Sequence, residues 1–410
     1  MKHMVIIGGG KAGARAAVAL RENDYNGAIT LITGEAHAPY DRPPLSKAVI
    51  TNADQPSPPY LTDEATLKSI NVSLIISNPA TAIDRGAKTV TLADGAHIAY
   101  SKLLIATGAV PRKLNLPGSN SPRVVTLRTF EDALRLRDQL HEGCHLIIIG
   151  GGFIGLEVAA SARKRGASVT VIEGLARVLS RGVPEEIAKV VTDRHMAAGV
   201  DIRCGAGLDG FDGLGNAIAV KLKDGSSIEG DLVLVGIGAV PVTDLAEHAG
   251  IAIDNGIAVD DLLRTSDPDI YAAGDCVSFP LPVYGGRRVR LESWRSAQDQ
   301  GALAAANMLG KGEHLANVPW FWSDQYELTL QIAGLQDEGA STVRRDLSDS
   351  AFILFHIAAD GRLVAASGIG VGNAVAKDIR LAEMIIGKGL KPAVDQLADP
   401  TVNLKRLLSA

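Results

Sequence analysis

Short, uninterrupted apolar runs alternate along this chain with longer stretches of mixed pattern. VIIGGG near the start and LIIIGGG further on each read as a strand buried on both faces, as in a parallel sheet. Helical spacing follows each run, from Arg15 to Arg21 and from Leu156 to Lys164. Further apolar strands are predicted for AITLITGE, ending at Glu35, for SKLLIATGAVPR, which carries Thr107 and Gly108, and for SVTVIE, ending at Glu173. DLVLVGIGAVP, with Gly238 at its turn, closes this second series. Alternation at Val72–Ile76 and Thr89–Leu92, with Asp94-Gly95 as a turn, predicts hairpin structure. Helices are predicted over Phe130–Leu140 and Glu185–Ala198.

The pattern therefore starts twice, and each start carries a glycine fingerprint. The first places Gly8, Gly10 and Gly13 between strand and helix; the second places Gly150, Gly152 and Gly155 there, with Ile154 inside it. Glycine permits the tight turn and lets backbone approach a pyrophosphate at a helix N-terminus. One such motif is weak evidence, but two in strand–turn–helix context imply two dinucleotides held at once. That combination suits a flavin enzyme reduced by a nicotinamide, with FAD and NADH as cofactors. DPDIYAAGDC, containing Gly274 and Asp275, fits neither half and reads as a return to the first domain. From Pro319 the pattern changes to strands at Leu328–Ile332, Ala351–Ile357 and Leu363–Ala366, then a helix over Ala374–Ile386. The expected fold class is α/β: two Rossmann-like dinucleotide-binding domains, the NAD domain inserted in the FAD domain, plus a C-terminal α+β domain. The expected boundaries are residues 1–112 and 238–317 for FAD, 113–237 for NADH, and 318–410 for the last domain.

Composition narrows the function further. A chain of 410 residues exceeds one typical core, and 44 glycines suit an α/β protein rich in tight turns. A net charge of −5 gives no reason to expect nucleic acid or a membrane surface as partner, and no apolar run approaches the ~20 residues of a spanning helix. Strand-like sequence begins almost at once, so no signal peptide is expected and cytoplasm is the default. Cys144, Cys204 and Cys276 form neither a CxxC pair nor a metal-ligand pattern, so no metal is expected. Cys144 and Cys204 are expected to be small buried packing residues.

Several side chains are candidates for chemistry, each with a plainer alternative. Glu173 lies near the offset of ~20 residues at which a carboxylate accepts from the adenosine ribose, which favours NADH over a 2′-phosphorylated cofactor. Arg177 and Arg181 nearby argue the other way, and a strand-end charge is the plain reading. Glu35 is placed for the same role toward the flavin's adenosine, at a slightly longer offset. Lys47 follows the proline-braced loop PYDRPPLSK and could be a surface charge; Glu157 sits in the helix opened by the second fingerprint. Paired beside a flavin, the two would orient the nicotinamide and stabilise negative charge on the reduced ring. Asp275 could accept from a ribityl hydroxyl or cap a helix. Trp320 and Trp322 could wall the flavin edge or be core, and Phe321 reads as core.

Taken in order, VIIGGGKAG, PYDRPPLSK, LLIATG, LRTFEDA, IIGGGFIGLEVA, TSDPDIYAAGDC, LESW and PWFWSDQY span nearly the whole chain. Their wording and order resemble the flavin-dependent ferredoxin reductases of oxygenase systems. The resemblance implies a glutathione-reductase-like architecture, with FAD contacts at Ala12, Lys47, Ala80, Arg128, Asp275 and Trp294. It supports Lys47 beside the flavin, and Glu157 and Glu173 on the nicotinamide side. Family members often carry an acidic residue where Gly34 stands, so Glu35 must fill that role alone or with backbone. The implied activity passes a hydride from NADH to FAD and then single electrons to a [2Fe–2S] ferredoxin serving a cytochrome P450 or Rieske oxygenase. A basic dock for an acidic ferredoxin is expected among Arg287, Arg288, Arg290, Arg295, Arg344, Arg345, Lys377 and Arg380. The protein is expected to be a monomer or weak dimer. Two alternatives stay open: an NADH oxidase, peroxidase or disulfide reductase, disfavoured because residues 1–143 hold no cysteine, and a redox sensor resembling apoptosis-inducing factor.

Overall fold

Both fingerprints lie where a buried strand turns into a helix. The computed structural model describes residues 2–408 apart from residues 53 and 55. The first fingerprint joins β1 (His3–Ile7) to α1 (Lys11–Glu22), followed by β2 (Ala28–Ile32), β3 (Val72–Ile75) and β4 (Lys102–Ile105). The second joins β5 (His145–Ile149) to α2 (Phe153–Lys164), followed by β6 (Ser168–Glu173), α3 (Glu185–Ala197), β7 (Val200–Cys204) and β8 (Leu232–Val235). Then come β9 (Ile270–Ala272) and α4 (Trp294–Met308), and finally β10 (Trp320–Gln325), β11 (Leu328–Gly334), β12 (Ser341–Ser348), β13 (Ala351–Ile357), β14 (Leu363–Val371) and α5 (Ala376–Gly387).

The chain divides into two compact units. The first comprises residues 1–41, 58–110 and 240–319. Its parallel sheet runs β9-β4-β1-β2-β3, with the fingerprint strand in the middle. Met4, Val5, Ile6 and Ile7 are all buried, which explains the unbroken apolar run. Helices α1 and α4 pack closely because their contact residues are small: a Cβ on Gly301 would come 2.3 Å from the Ala12 carbonyl oxygen. An antiparallel sheet formed by Ala80–Asp84, Thr89–Leu92 and His97–Ala99 contains the expected Asp94-Gly95 turn.

The second unit comprises residues 42–57, 111–239 and 320–410. Here the parallel order is β7-β6-β5-β8, extended by Val124–Val125. The C-terminal sheet is antiparallel, in the order β10-β11-β14-β13-β12. One apolar core joins the two: Leu156 of α2 and Ile187 and Val191 of α3 pack with Leu328, Leu330, Phe352, Leu354 and Ile369 of the antiparallel sheet. β12 and α4 were not anticipated as elements. Cys204 corrects an expectation: it ends edge strand β7 and is exposed, whereas Cys144 is buried as expected.

Candidate functional site

The glycines of each fingerprint fall into two physical classes. Gly8 (φ +116°) and Gly13 are demanded by the chain itself: a Cβ would sit 2.1 Å from the Ala106 oxygen at the first and 1.9 Å from the Gly8 oxygen at the second. The second loop repeats this, with Gly150 (φ +104°) facing the Gly236 oxygen at 2.4 Å and Gly155 facing the Gly150 oxygen at 2.3 Å. The middle glycines differ. Gly10 and Gly152 have φ of −81° and −82°, open to any residue. A Cβ on Gly10 would meet nothing within 4 Å, and one on Gly152 only the Gly236 oxygen at 4.0 Å. Neither packing nor conformation asks for glycine there. Each is the uncapped N-cap of its helix, where backbone N–H groups face outward. A cradle of this form fits the phosphates of a bound dinucleotide, once in each unit.

Around the first cradle, Ala12 is buried and Gly274 (φ +88°) would bring a Cβ to 3.2 Å from it. Buried Gln300 holds this segment by accepting from the Gly274 N–H at 2.8 Å. Asp275 is half-buried and is followed by strand Val277–Leu281, so it caps no helix. Trp294 opens α4, donating its Nε1–H to Asp41 at 2.6 Å while the Lys11 ammonium lies 3.7 Å over its ring. Burial pushes the Lys11 pKa down, against the opposing pull of Asp41. Glu35 is half-buried just beyond β2 and accepts from the Tyr40 hydroxyl. Thr107 donates to the Val242 oxygen at 2.6 Å, next to Gly108 (φ +71°), and Ala80 is half-buried at the head of its strand.

In the second unit, Glu173 is bound into its loop. Its two oxygens accept from the N–H groups of Gly151 at 2.7 Å and Leu175 at 2.8 Å, so the carboxylate faces the cradle. Arg177 is turned away from phosphate work, because its guanidinium donates to the carbonyls of Val178, Leu179 and Val183. Ile154 is 48% exposed on the first turn of α2, a large apolar side chain left open beside the cradle. Gly238 (φ +105°) accepts from the Arg112 N–H. Arg128 offers its carbonyl to Arg42 at 2.6 Å and stands just before the Thr129 capping box of helix Phe130–Gln139.

The same unit brings Lys47 and Glu157 together. Lys47 Nζ lies 3.2 Å from Glu157 Oε1 and 3.3 Å from Asp324 Oδ2. Glu157 also accepts from Ser46 Oγ and Ser323 Oγ, each at 2.6 Å, so both carboxylate oxygens are held. Ser161, one turn along α2, donates to the Ser46 carbonyl at 2.7 Å and fixes the loop that carries Lys47. On β10, Trp320 and Trp322 share a face by strand alternation and stack at 5.3 Å, while Phe321 packs on Phe153 at 4.4 Å. Ser46, Ser323 and Asp324 were missed in the sequence, where serines and a strand aspartate carry no spacing signal. The basic dock needs correction too. Arg345 is 2% exposed and donates to Asp378 and to the carbonyls of Leu397, Asp399, Pro400 and Val402. Arg344 pairs with Glu186 and Asp346, Arg295 with Asp299, and Arg290 with Glu292.

Comparison with known proteins agrees with this geometry. Residues 2–301 match the family described as pyridine nucleotide-disulphide oxidoreductase, and residues 320–408 match the reductase C-terminal domain. The ferredoxin–NAD(+) reductase component of the anthranilate 1,2-dioxygenase system of Burkholderia cepacia is 40% identical, covering 98% of each chain. Putidaredoxin reductase of Pseudomonas putida is 37% identical, covering 100% of this chain and 97% of its own. Among solved structures, the ferredoxin reductase for the CYP199A2 system of Rhodopseudomonas palustris superposes with a TM-score of 0.93, at 37% identity and 99% coverage of both chains. The covalent putidaredoxin reductase–putidaredoxin complex gives 0.92, at 35% identity, covering 100% of this chain and 98% of that one. By fold, fingerprints and full-length relatedness, this chain belongs to the pyridine nucleotide-disulphide oxidoreductase family, among the FAD- and NADH-dependent ferredoxin–NAD(+) reductases.

Proposed function

We propose that this reductase delivers electrons from NADH to a [2Fe–2S] ferredoxin that serves a cytochrome P450 or Rieske oxygenase. The observation that carries the reading is the Lys47–Glu157 pair, in which Glu157 is seated on the helix that opens at the second cradle and Lys47 reaches it from the loop after Pro43–Ser46. The chemistry supplied by a bound FAD would be acceptance of a hydride from NADH and release of its electrons one at a time. The chain supplies position and charge. The first fingerprint, with Ala12, Glu35, Ala80, Thr107, Gly108, Gly274, Asp275 and Trp294, would hold FAD. Gly150, Gly152, Ile154, Gly155, Glu173 and Gly238 would hold NADH, and Arg128 and Trp320 would complete the flavin's surroundings. Lys47 is fixed between two carboxylates, from where it would offset negative charge developing on a flavin held beside it. Glu157 orients that ammonium and is itself fixed by two serines.

No thiol takes part in this scheme. All three cysteines have pKa values pushed up, Cys144 and Cys276 chiefly by burial and exposed Cys204 by partial desolvation and the nearby Glu173 carboxylate, which disfavours the reactive thiolate. That disfavours the oxidase, peroxidase and disulfide reductase readings. We further read the protein as cytoplasmic, monomeric or weakly dimeric, with domain boundaries at 1–112 and 238–317, 113–237, and 318–410. No helix among the described residues is long and apolar enough to cross a membrane. Anaerobic stopped-flow mixing with NADH tests the chemistry: Lys47→Met should slow flavin bleaching at least about tenfold. Bleaching at the wild-type rate would sink the assignment. Cytochrome c reduction by NADH should require added ferredoxin; slow reduction indifferent to ferredoxin would favour the sensor reading instead.

A further inference from the structure

Behind Glu157 runs a buried line of polar side chains. Ser323 and Gln325, two apart on β10, are 0% and 1% exposed, and His195 on α3 is 0% exposed. Ser323 Oγ lies 2.6 Å from Glu157 Oε1, Gln325 Nε2 lies 3.0 Å from Ser323 Oγ, and Gln325 Oε1 lies 3.0 Å from His195 Nε2. A carboxylate can only accept, so the Ser323 hydroxyl donates to Glu157 and accepts from the Gln325 amide. The Gln325 oxygen then accepts an N–H from His195 Nε2. His195 Nδ1 is left as the acceptor, with the Tyr326 hydroxyl 3.5 Å away. Every dipole in the line points its positive end toward Glu157, and such chains polarise cumulatively.

We infer that His195 is a positioning residue for the reaction, acting through Gln325 and Ser323 to hold the Glu157 carboxylate in register with Lys47. This rests on the reading of Lys47 and Glu157 as the pair beside the flavin. The cost of the arrangement argues against simple packing. The line runs beside an apolar core that includes Val191, one turn before His195 on α3, and Leu328, the strand partner of Gln325, where a leucine would need no hydrogen-bond partner. Burial pushes the His195 pKa down to about 4, so the ring is neutral in use and carries one N–H, whose place the line dictates. The outer end is closed by Tyr326, in a left-handed turn (φ 60°), with the Arg194 guanidinium 4.0 Å over its ring and paired to Glu327.

Two independent measurements on the holoenzyme decide the matter. Ring ¹⁵N NMR of histidine-labelled protein near pH 7 should report His195 as the neutral Nε2–H tautomer, with shifts that move in Ser323→Ala; an Nδ1–H tautomer overturns the inference. In stopped-flow reduction, His195→Leu should lower the limiting rate about three- to tenfold with the NADH Kd within about twofold. His195→Gln, which keeps an N–H near the Nε2 position, should recover most of that loss. The double variant Ser323→Ala/His195→Leu should be no slower than Ser323→Ala alone, because the line is already cut. A wild-type limiting rate in folded, FAD-loaded His195→Leu, or losses that multiply in the double variant, would make His195 mere packing. If His195→Leu fails to fold, the Gln variant and the NMR tautomer still decide. A Lys47→Met variant that bleaches normally would instead sink the underlying site assignment, leaving the tautomer result standing.

Discussion

Replacing the middle glycine of each fingerprint separates what the fold needs from what its ligands need. In Gly10→Ala the added methyl enters space that the protein leaves empty, at a φ alanine adopts freely. Folding should lose only the difference between glycine and alanine as an N-cap, about 0.5–1 kcal/mol. A phosphate seated over that N-terminus would meet the methyl directly. Overpacking of this kind costs about 1–3 kcal/mol, which weakens binding roughly 5- to 150-fold. Gly13→Ala is the control, since its methyl would fall 1.9 Å from a backbone oxygen and should cost the fold about 3 kcal/mol or more. The assay is flavin content after gel filtration, together with thermal melts of the flavin-stripped protein, in which FAD binding adds nothing to stability. Gly10→Ala should melt near wild type yet shed FAD, whereas Gly152→Ala should keep FAD and raise the KM for NADH. If Gly10→Ala keeps FAD as tightly as wild type, the empty space is only solvent and the cradle argument fails.

Other consequences are equally direct. Glu173→Ala should narrow the preference for NADH over NADPH by about tenfold or more, read as the ratio of kcat/KM values; an unchanged ratio would place the ribose elsewhere. Arg345→Ala should cost about 3–5 kcal/mol by leaving Asp378 and four carbonyls without their donor, while the ionic-strength dependence of ferredoxin reduction stays as in wild type. A shallower salt profile in this variant would return Arg345 to the docking surface. His195 and His356 both have folded-state pKa values lowered to about 4 by burial. The unfolded chain therefore binds more protons between about pH 6.5 and 4, so stability is held above that window and falls within it, by up to about 1.4 kcal/mol per pH unit for each histidine. Urea melts at pH 7, 6 and 5 check the slope, which should be reduced in His356→Gln.

Much of this architecture was legible because it is written locally. The fingerprint strands are continuous apolar runs, and the helix beginning at Phe130 starts with its own capping box. α4 escaped notice because close packing against α1 selects alanine and glycine, which leaves no apolar period. β12 escaped because, as an edge strand, it is largely polar and exposed. Glu157 is placed by its position just past the second fingerprint, but residue chemistry alone leaves Lys47 open as a surface charge, and only the family resemblance supports it as the partner. Ser46, Ser323, Gln325 and His195 were not legible, since each gains meaning only from a partner far away in the chain. Arg345 shows the same limit from the opposite side: a charge that looks like surface becomes the brace of the C-terminal tail.

The apolar core shared by α2, α3 and the antiparallel sheet has a further implication for how such reductases can be altered. A gene cut at residue 319 would leave two fragments, each baring the face that the other normally covers. Exchange of the final segment between relatives should therefore yield insoluble chimaeras unless the matching helix faces travel with it. Retargeting this enzyme to another electron acceptor is better sought through point changes on its exterior than through module swaps.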